Sequence, residues 1–158
     1  MFEFLNQYTN CGHFILHQSD ELKEVCNAPK NKSGVYLLYA DVVNINRLIY
    51  IGCSGLEKDG KIQLRKGGIY DRLVNGKQFN EARRKSLINK IKENSWNNIH
   101  VKWWDTETDF PEVVEACLIL EYEMQFNKLP IWNKSDMIKE SLERAFIEYI
   151  TRNHLFRN

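Results

Sequence analysis

The sequence predicts an α+β domain in which helices pack on a small three-stranded antiparallel sheet. Three observations predict it. The runs GVYLLYA (34–40) and LIYIG (48–52) have strand character and are joined by a short polar turn, as in a hairpin. The stretch IHVKWWD (99–105) alternates apolar and polar residues as a half-buried strand does. Elsewhere, apolar residues recur at the spacing of amphipathic helices.

Taken in order, residues 1–32 read as an N-terminal extension with a short helix after Ser19, since Asp20 and Glu21 suit a first turn. Asn31 to Gly34 breaks the chain before the first strand. Residues 53–68, with glycines at 55, 60, 67 and 68, read as an inserted loop. A short helix is expected over 69–74 and a longer one over 80–93, with Asn80 as its cap. After the third strand, Asp109-Phe110-Pro111 opens a helix to about residue 127, and Leu129-Pro130 ends it. A last helix is expected within 135–158, packed on the 33–134 core.

Hydrophobic residues make up 43% of the 158 and charged residues 27%, ordinary for a soluble globular domain. No apolar run approaches a membrane span, and the four cysteines are scattered without a CxxC pair, so a cytoplasmic protein with free thiols is expected. Net charge is only +1, but its distribution is uneven. Eleven of the 22 basic residues and only three acids lie between Lys58 and Lys92, a local net of +8. Such a lobe can neutralise several phosphates, or it can be a solvated helix face. Charge thus permits a polyanionic partner without requiring one.

On the 111–127 helix, Val113, Val114, Cys117, Leu118, Leu120 and Met124 gather on one side at 100° per residue, and Glu112, Glu115 and Glu123 on the other. Glu121 falls inside the apolar stripe. A carboxylate there is either half of a buried ion pair or a metal ligand, and a hard cation such as Mg²⁺ needs only one or two carboxylates. His13 and His17 have i, i+4 spacing but no third ligand, and Cys53 lacks a histidine partner for nucleophilic chemistry. Tyr39, Tyr70, Trp103, Trp104 and Trp132 read as packing.

GVY (34–36) and YIG (50–52), followed by an arginine and by EACLILEYEMQFNKLPIWN (115–133), resemble the GIY-YIG nuclease superfamily over about residues 33–134. The resemblance implies a divalent-metal-dependent endonuclease that hydrolyses DNA phosphodiester bonds, double-stranded DNA being the expected partner and Mg²⁺ or Mn²⁺ the cofactor. A restriction-type enzyme, active as a homodimer, is the leading form. A structure-specific repair or RNA nuclease, and a binding module that does not cut, are the alternatives.

Carried over residue by residue, the resemblance implies Glu121 as metal ligand and Asn133 as the structural asparagine of the Pro-x-x-Asn ending. It implies Tyr36 as the base that activates water and Tyr50 as the group that orients it. Arg72, in GIYDRL, would brace the phosphate, with Arg65 as runner-up and Lys61 as a further cation near the chemistry. Arg65, Lys66, Lys77, Arg83, Arg84 and Lys85 would contact DNA. The sequence departs from the family at Gly76, where many members carry His or Tyr; Tyr70 or Lys77 would then compensate.

Overall fold

A computed structural model describes residues 1–134. The helix expected within 135–158 lies outside the described residues. After a 3₁₀ turn (Glu3–Gln7) come β1 (Cys11–His17), α1 (Leu22–Val25) and β2 (Gly34–Ala40). A second 3₁₀ turn leads into β3 (Leu48–Ser54), then the hairpin β4 (Leu56–Lys58) and β5 (Lys61–Gln63). Helix α2 (Gly68–Val74), the hairpin β6 (Lys77–Gln78) and β7 (Glu81–Ala82), and α3 (Arg83–Glu93) follow. The described chain closes with β8 (Asn98–Asp105) and α4 (Pro111–Phe126).

The α+β class stands, but the sheet has four antiparallel strands in the order β1-β8-β2-β3. Strand β1 lies in the segment expected to be an extension, paired with β8 from Cys11↔Trp104 to His17↔Asn98. Its alternation is short: Phe14 and Leu16 are buried, while His13 and His17 share the other face. The i, i+4 histidine spacing is therefore two strand repeats, not a helical turn. His13 stacks on His100 across the pair.

Strand β2 is buried along its whole length, as a run apolar on both faces should be. Its alternation sends Val35, Leu37 and Tyr39 to one core and Tyr36, Leu38 and Ala40 to the other. The first core lies under α4 and the N-terminal 3₁₀ turn. The second lies under α1, α2 and α3, with Ile69, Leu73, Leu87 and Ile91 supplying the helical side. Helices thus sandwich the sheet. None in the described residues is long and apolar enough to cross a membrane.

Strand β3 ends the sheet, and a bulge at Ile49 shifts its register between Leu38↔Tyr50 and Tyr39↔Leu48. Its outer side is met by residues 130–133. The Trp132 N–H donates to the Ile49 carbonyl at 3.0 Å. The Asn133 side chain accepts from the Ile51 N–H at 2.9 Å and donates to the Ile51 carbonyl at 2.8 Å. The 53–68 insertion is also structured. Both Glu112 oxygens accept the Glu57 N–H at 2.8 Å, which ties the β4–β5 hairpin to α4.

Candidate active site

A cleft of about 900 Å³ opens where the helices on the two sides of the sheet meet the end of β3. Its lining includes Tyr50 and Cys53 of β3, Arg72 of α2, Arg83 of α3, Glu115 of α4, and Asn133.

Loop 29–32 sets the position of Arg72. The Lys32 and Pro29 carbonyls accept the N–H groups of Ile69 and Tyr70, two donors a helix start leaves free. The Ser54 hydroxyl donates to the Gly68 carbonyl at 2.9 Å. Gly68 has φ 57°, and a Cβ there would lie 2.7 Å from the Lys32 oxygen, so glycine alone fits. Four residues on, the Arg72 guanidinium reaches the Tyr36 hydroxyl, and Tyr36 beside it pushes its pKa up ahead of the opposing effect of burial.

Tyr36 is completely buried, and its oxygen accepts from the Arg83 guanidinium at 2.5 Å. The Tyr36 and Tyr50 rings sit 6.1 Å apart, with the Arg83 guanidinium 5.0 Å from one and 5.1 Å from the other. Gly52 makes room for the pair. A Cβ there would stand 2.6 Å from the Tyr36 oxygen and 2.6 Å from the Tyr50 ring. Burial pushes the Tyr50 hydroxyl up, so it stays protonated at neutral pH and serves as a donor.

Glu115 faces this group from α4. Burial raises its pKa, while a hydrogen bond from the Cys53 thiol and the charges of Arg72 and Arg83 pull it back. Burial, reinforced by Glu115, pushes the Cys53 thiol well up, so Cys53 is a donor and not a thiolate nucleophile. Arg65, Lys66, Lys77 and Lys134 add positive charge to the cleft, and among the described residues its carboxylates are Glu112 and Glu115.

The predicted residues therefore divide. Tyr36, Tyr50, Arg72 and Asn133 come together, with Arg65, Lys66 and Lys77 on the cleft. Lys61 does not join them; it is exposed on the β4–β5 hairpin, away from the lining. Arg83 was expected on the DNA-contacting surface but is 1% exposed within the tyrosine pair. Arg84 is exposed and donates to the Asn75 side chain at 3.0 Å, and Lys85 is exposed beside it.

Glu121 lies outside the cleft, where its carboxylate accepts the Phe2 N–H at 2.8 Å. The physical reason is the phase of α4. Its buried face holds Val114, Leu118, Ile119 and Tyr122, about a third of a turn from the expected stripe, and Met124 is 80% exposed. Glu115 falls within that face. Gly76 is buried, and a Cβ there would meet the Arg72 carbonyl at 2.2 Å, so the backbone leaves no space for a side chain. Tyr70 does not compensate, since its hydroxyl donates to the Lys23 carbonyl at 3.2 Å; Lys77 does line the cleft.

Among the described residues no three His, Cys, Asp or Glu side chains converge as a metal cage. A cation that keeps most of its waters and takes one protein carboxylate fits Glu115, which lines the cleft beside Cys53. Glu121, the ligand expected from the sequence, and Glu112, the other cleft carboxylate, each already accept a backbone N–H. No protein-family model, curated protein or solved structure matches the chain.

Proposed function

We propose that the protein is a divalent-metal-dependent endonuclease that hydrolyses DNA phosphodiester bonds, with Glu115 in the role the sequence assigned to Glu121. The observation that carries this reading is the convergence of Tyr50, Arg72, Arg83 and Glu115 on one cationic cleft, with the Tyr36 hydroxyl buried directly behind the two arginines. The order of the GIY-YIG motifs supports the roles of Tyr36, Tyr50, Arg72 and Asn133, while Glu115 rests on the cleft geometry alone.

The cationic lining draws the phosphate backbone into the cleft. Arg72 braces the charge that grows on the phosphoryl oxygens, its planar fork suiting two of them at once. Tyr36 is the proposed base for the attacking water; its hydroxyl lies against the guanidiniums of Arg72 and Arg83, behind the cleft lining, so water must enter between them to reach it. Tyr50, held protonated, donates to the phosphate or to the water and so fixes the line of attack. Glu115 would hold Mg²⁺ or Mn²⁺, which when bound acts as a Lewis acid on the phosphoryl group. Arg83 positions Tyr36 through their hydrogen bond.

A binding module that does not cut is the second reading, and Gly76 favours it, because no side chain can occupy that place. Incubation with supercoiled plasmid separates the two. The nuclease nicks or linearises it with Mg²⁺ or Mn²⁺ and not with chelator. Glu115→Gln and Tyr36→Phe lower the rate roughly 100-fold or more, the scale of a lost general base, whereas Glu121→Gln cuts like wild type. Plasmid that is bound but left intact with either metal establishes the module instead. Full activity in Glu115→Gln removes that carboxylate from the chemistry.

A further inference from the structure

The β6–β7 hairpin places an aromatic where turn chemistry disfavours one. Its register, Lys77↔Ala82 and Gln78↔Glu81, leaves a two-residue loop of Phe79 and Asn80. Both have positive φ, 55° and 63°, as a type I′ turn requires. Asn suits that conformation, but a bulky side chain there is strained by about 1–2 kcal/mol. Phe79 is nevertheless 43% exposed, and it lines the cationic cleft.

The ring is also held in place. It meets Trp132 edge-to-face at 5.1 Å, and the Lys90 ammonium sits 5.0 Å from its centre. Trp132 is fixed in turn by its N–H bond to the Ile49 carbonyl, next to Tyr50, and by its contact with Trp96 at 5.6 Å. A strained, exposed and braced aromatic on the wall of the cationic cleft has a face to offer a ligand.

We propose that Phe79 is a stacking platform for an unpaired nucleobase next to the scissile phosphate. The inference rests on the nuclease reading and sharpens its substrate. Within an intact duplex each base face is already covered by its neighbours, so a free face exists only at a flipped, mispaired or single-stranded nucleotide. A base on Phe79 would bring its phosphate into the cleft that Lys77 and Arg72 also line, with the positive charge on the backbone and the ring on the base. That pairing of aromatic face and cationic groove is how single strands are held without dependence on sequence.

The test is equilibrium binding in chelator, which prevents cutting, with three fluorescent probes of equal length: single-stranded DNA, the same strand with abasic sites, and a blunt duplex. Wild type binds the normal strand about 5- to 150-fold more tightly than the abasic one, the range for one base–aromatic stack. Phe79→Trp keeps the difference, and Phe79→Leu abolishes it. Phe79→Asn melts at or above the wild-type temperature, because the turn strain is relieved, yet loses the same discrimination. Equal affinity of wild type for normal and abasic strands, or discrimination retained in Phe79→Leu, overturns the platform while leaving DNA binding intact. Failure to bind any of the three probes overturns the nuclease reading and the platform with it.

Discussion

Replacing Asn133 tests how the cleft is held to the sheet. Its amide makes two hydrogen bonds to one buried residue, accepting from the Ile51 N–H and donating to the Ile51 carbonyl. Asn133→Ala removes both and strands a backbone donor and acceptor, each worth about 1–3 kcal/mol when unsatisfied. Because the cleft admits water, the lower half of that range applies, giving a total near ~2–4 kcal/mol. For a chain of this size each kcal/mol moves the midpoint by about 2–4 °C, so a fall of ~5–15 °C is expected. Asn133→Asp is the sharper probe. Its carboxylate still accepts from the Ile51 N–H but turns a second oxygen on the Ile51 carbonyl, so at pH 7.5 it loses about half as much. Protonation restores a donor. The fold therefore raises this carboxyl's pKa, and the stability regained is complete below the unfolded value of about 4 and lost as pH rises through the folded one. Thermal melts of wild type and both variants at pH 4 and 7.5 read the effect as a gap to wild type. If Asn133→Asp equals wild type at pH 7.5, or its gap is unchanged at pH 4, these two bonds are not what fastens the segment.

Two further outcomes concern the site itself. Gly52→Ala places a methyl 2.6 Å from both tyrosines and costs about 1–3 kcal/mol, read by urea unfolding, with cleavage falling further than stability explains. An unchanged midpoint would mean the tyrosine pair has slack. In chelator, Glu115→Gln melts higher than wild type at pH 8, by the equivalent of about 0.5–2 kcal/mol, since it removes a buried charge. Burial raises the Glu115 pKa, so that advantage is fully present above the folded value and vanishes on acidification as Glu115 takes up its proton. A constant difference from pH 4 to 8 would show that Glu115 is well solvated.

The elements legible in the sequence were those with long periodic signals. β2, β3, β8, α2 and α4 lie within a residue or two of where alternation, glycines and the Asp109-Phe110-Pro111 start put them. β1 was not legible, because its pairing with β8 joins residues far apart in the chain, and two buried positions are too few to set a period. The helix expected from Asn80 starts at Arg83, because Phe79 and Asn80 are spent on the turn. For the candidate site, motif order named Tyr36, Tyr50, Arg72 and Asn133, which the fold brings together. Glu115 was missed because α4 is apolar around most of its circumference, so one stripe cannot fix its phase; counting Ile119 and Tyr122 into the stripe would have turned it. Arg83 carried no local signal, since Tyr36, its partner, is 47 residues away.

The Asn133 amide also has a consequence for how copies of the protein behave together. A terminal strand with free N–H and C=O groups is a template on which another chain can add itself. Along β3 the template is blocked by a side chain acting as a piece of backbone, supported by the Trp132 N–H. Loss of that block would expose an apolar strand, LIYIG, with a sequence suited to cross-chain pairing. The segment that completes the cleft thus also covers this edge of the sheet.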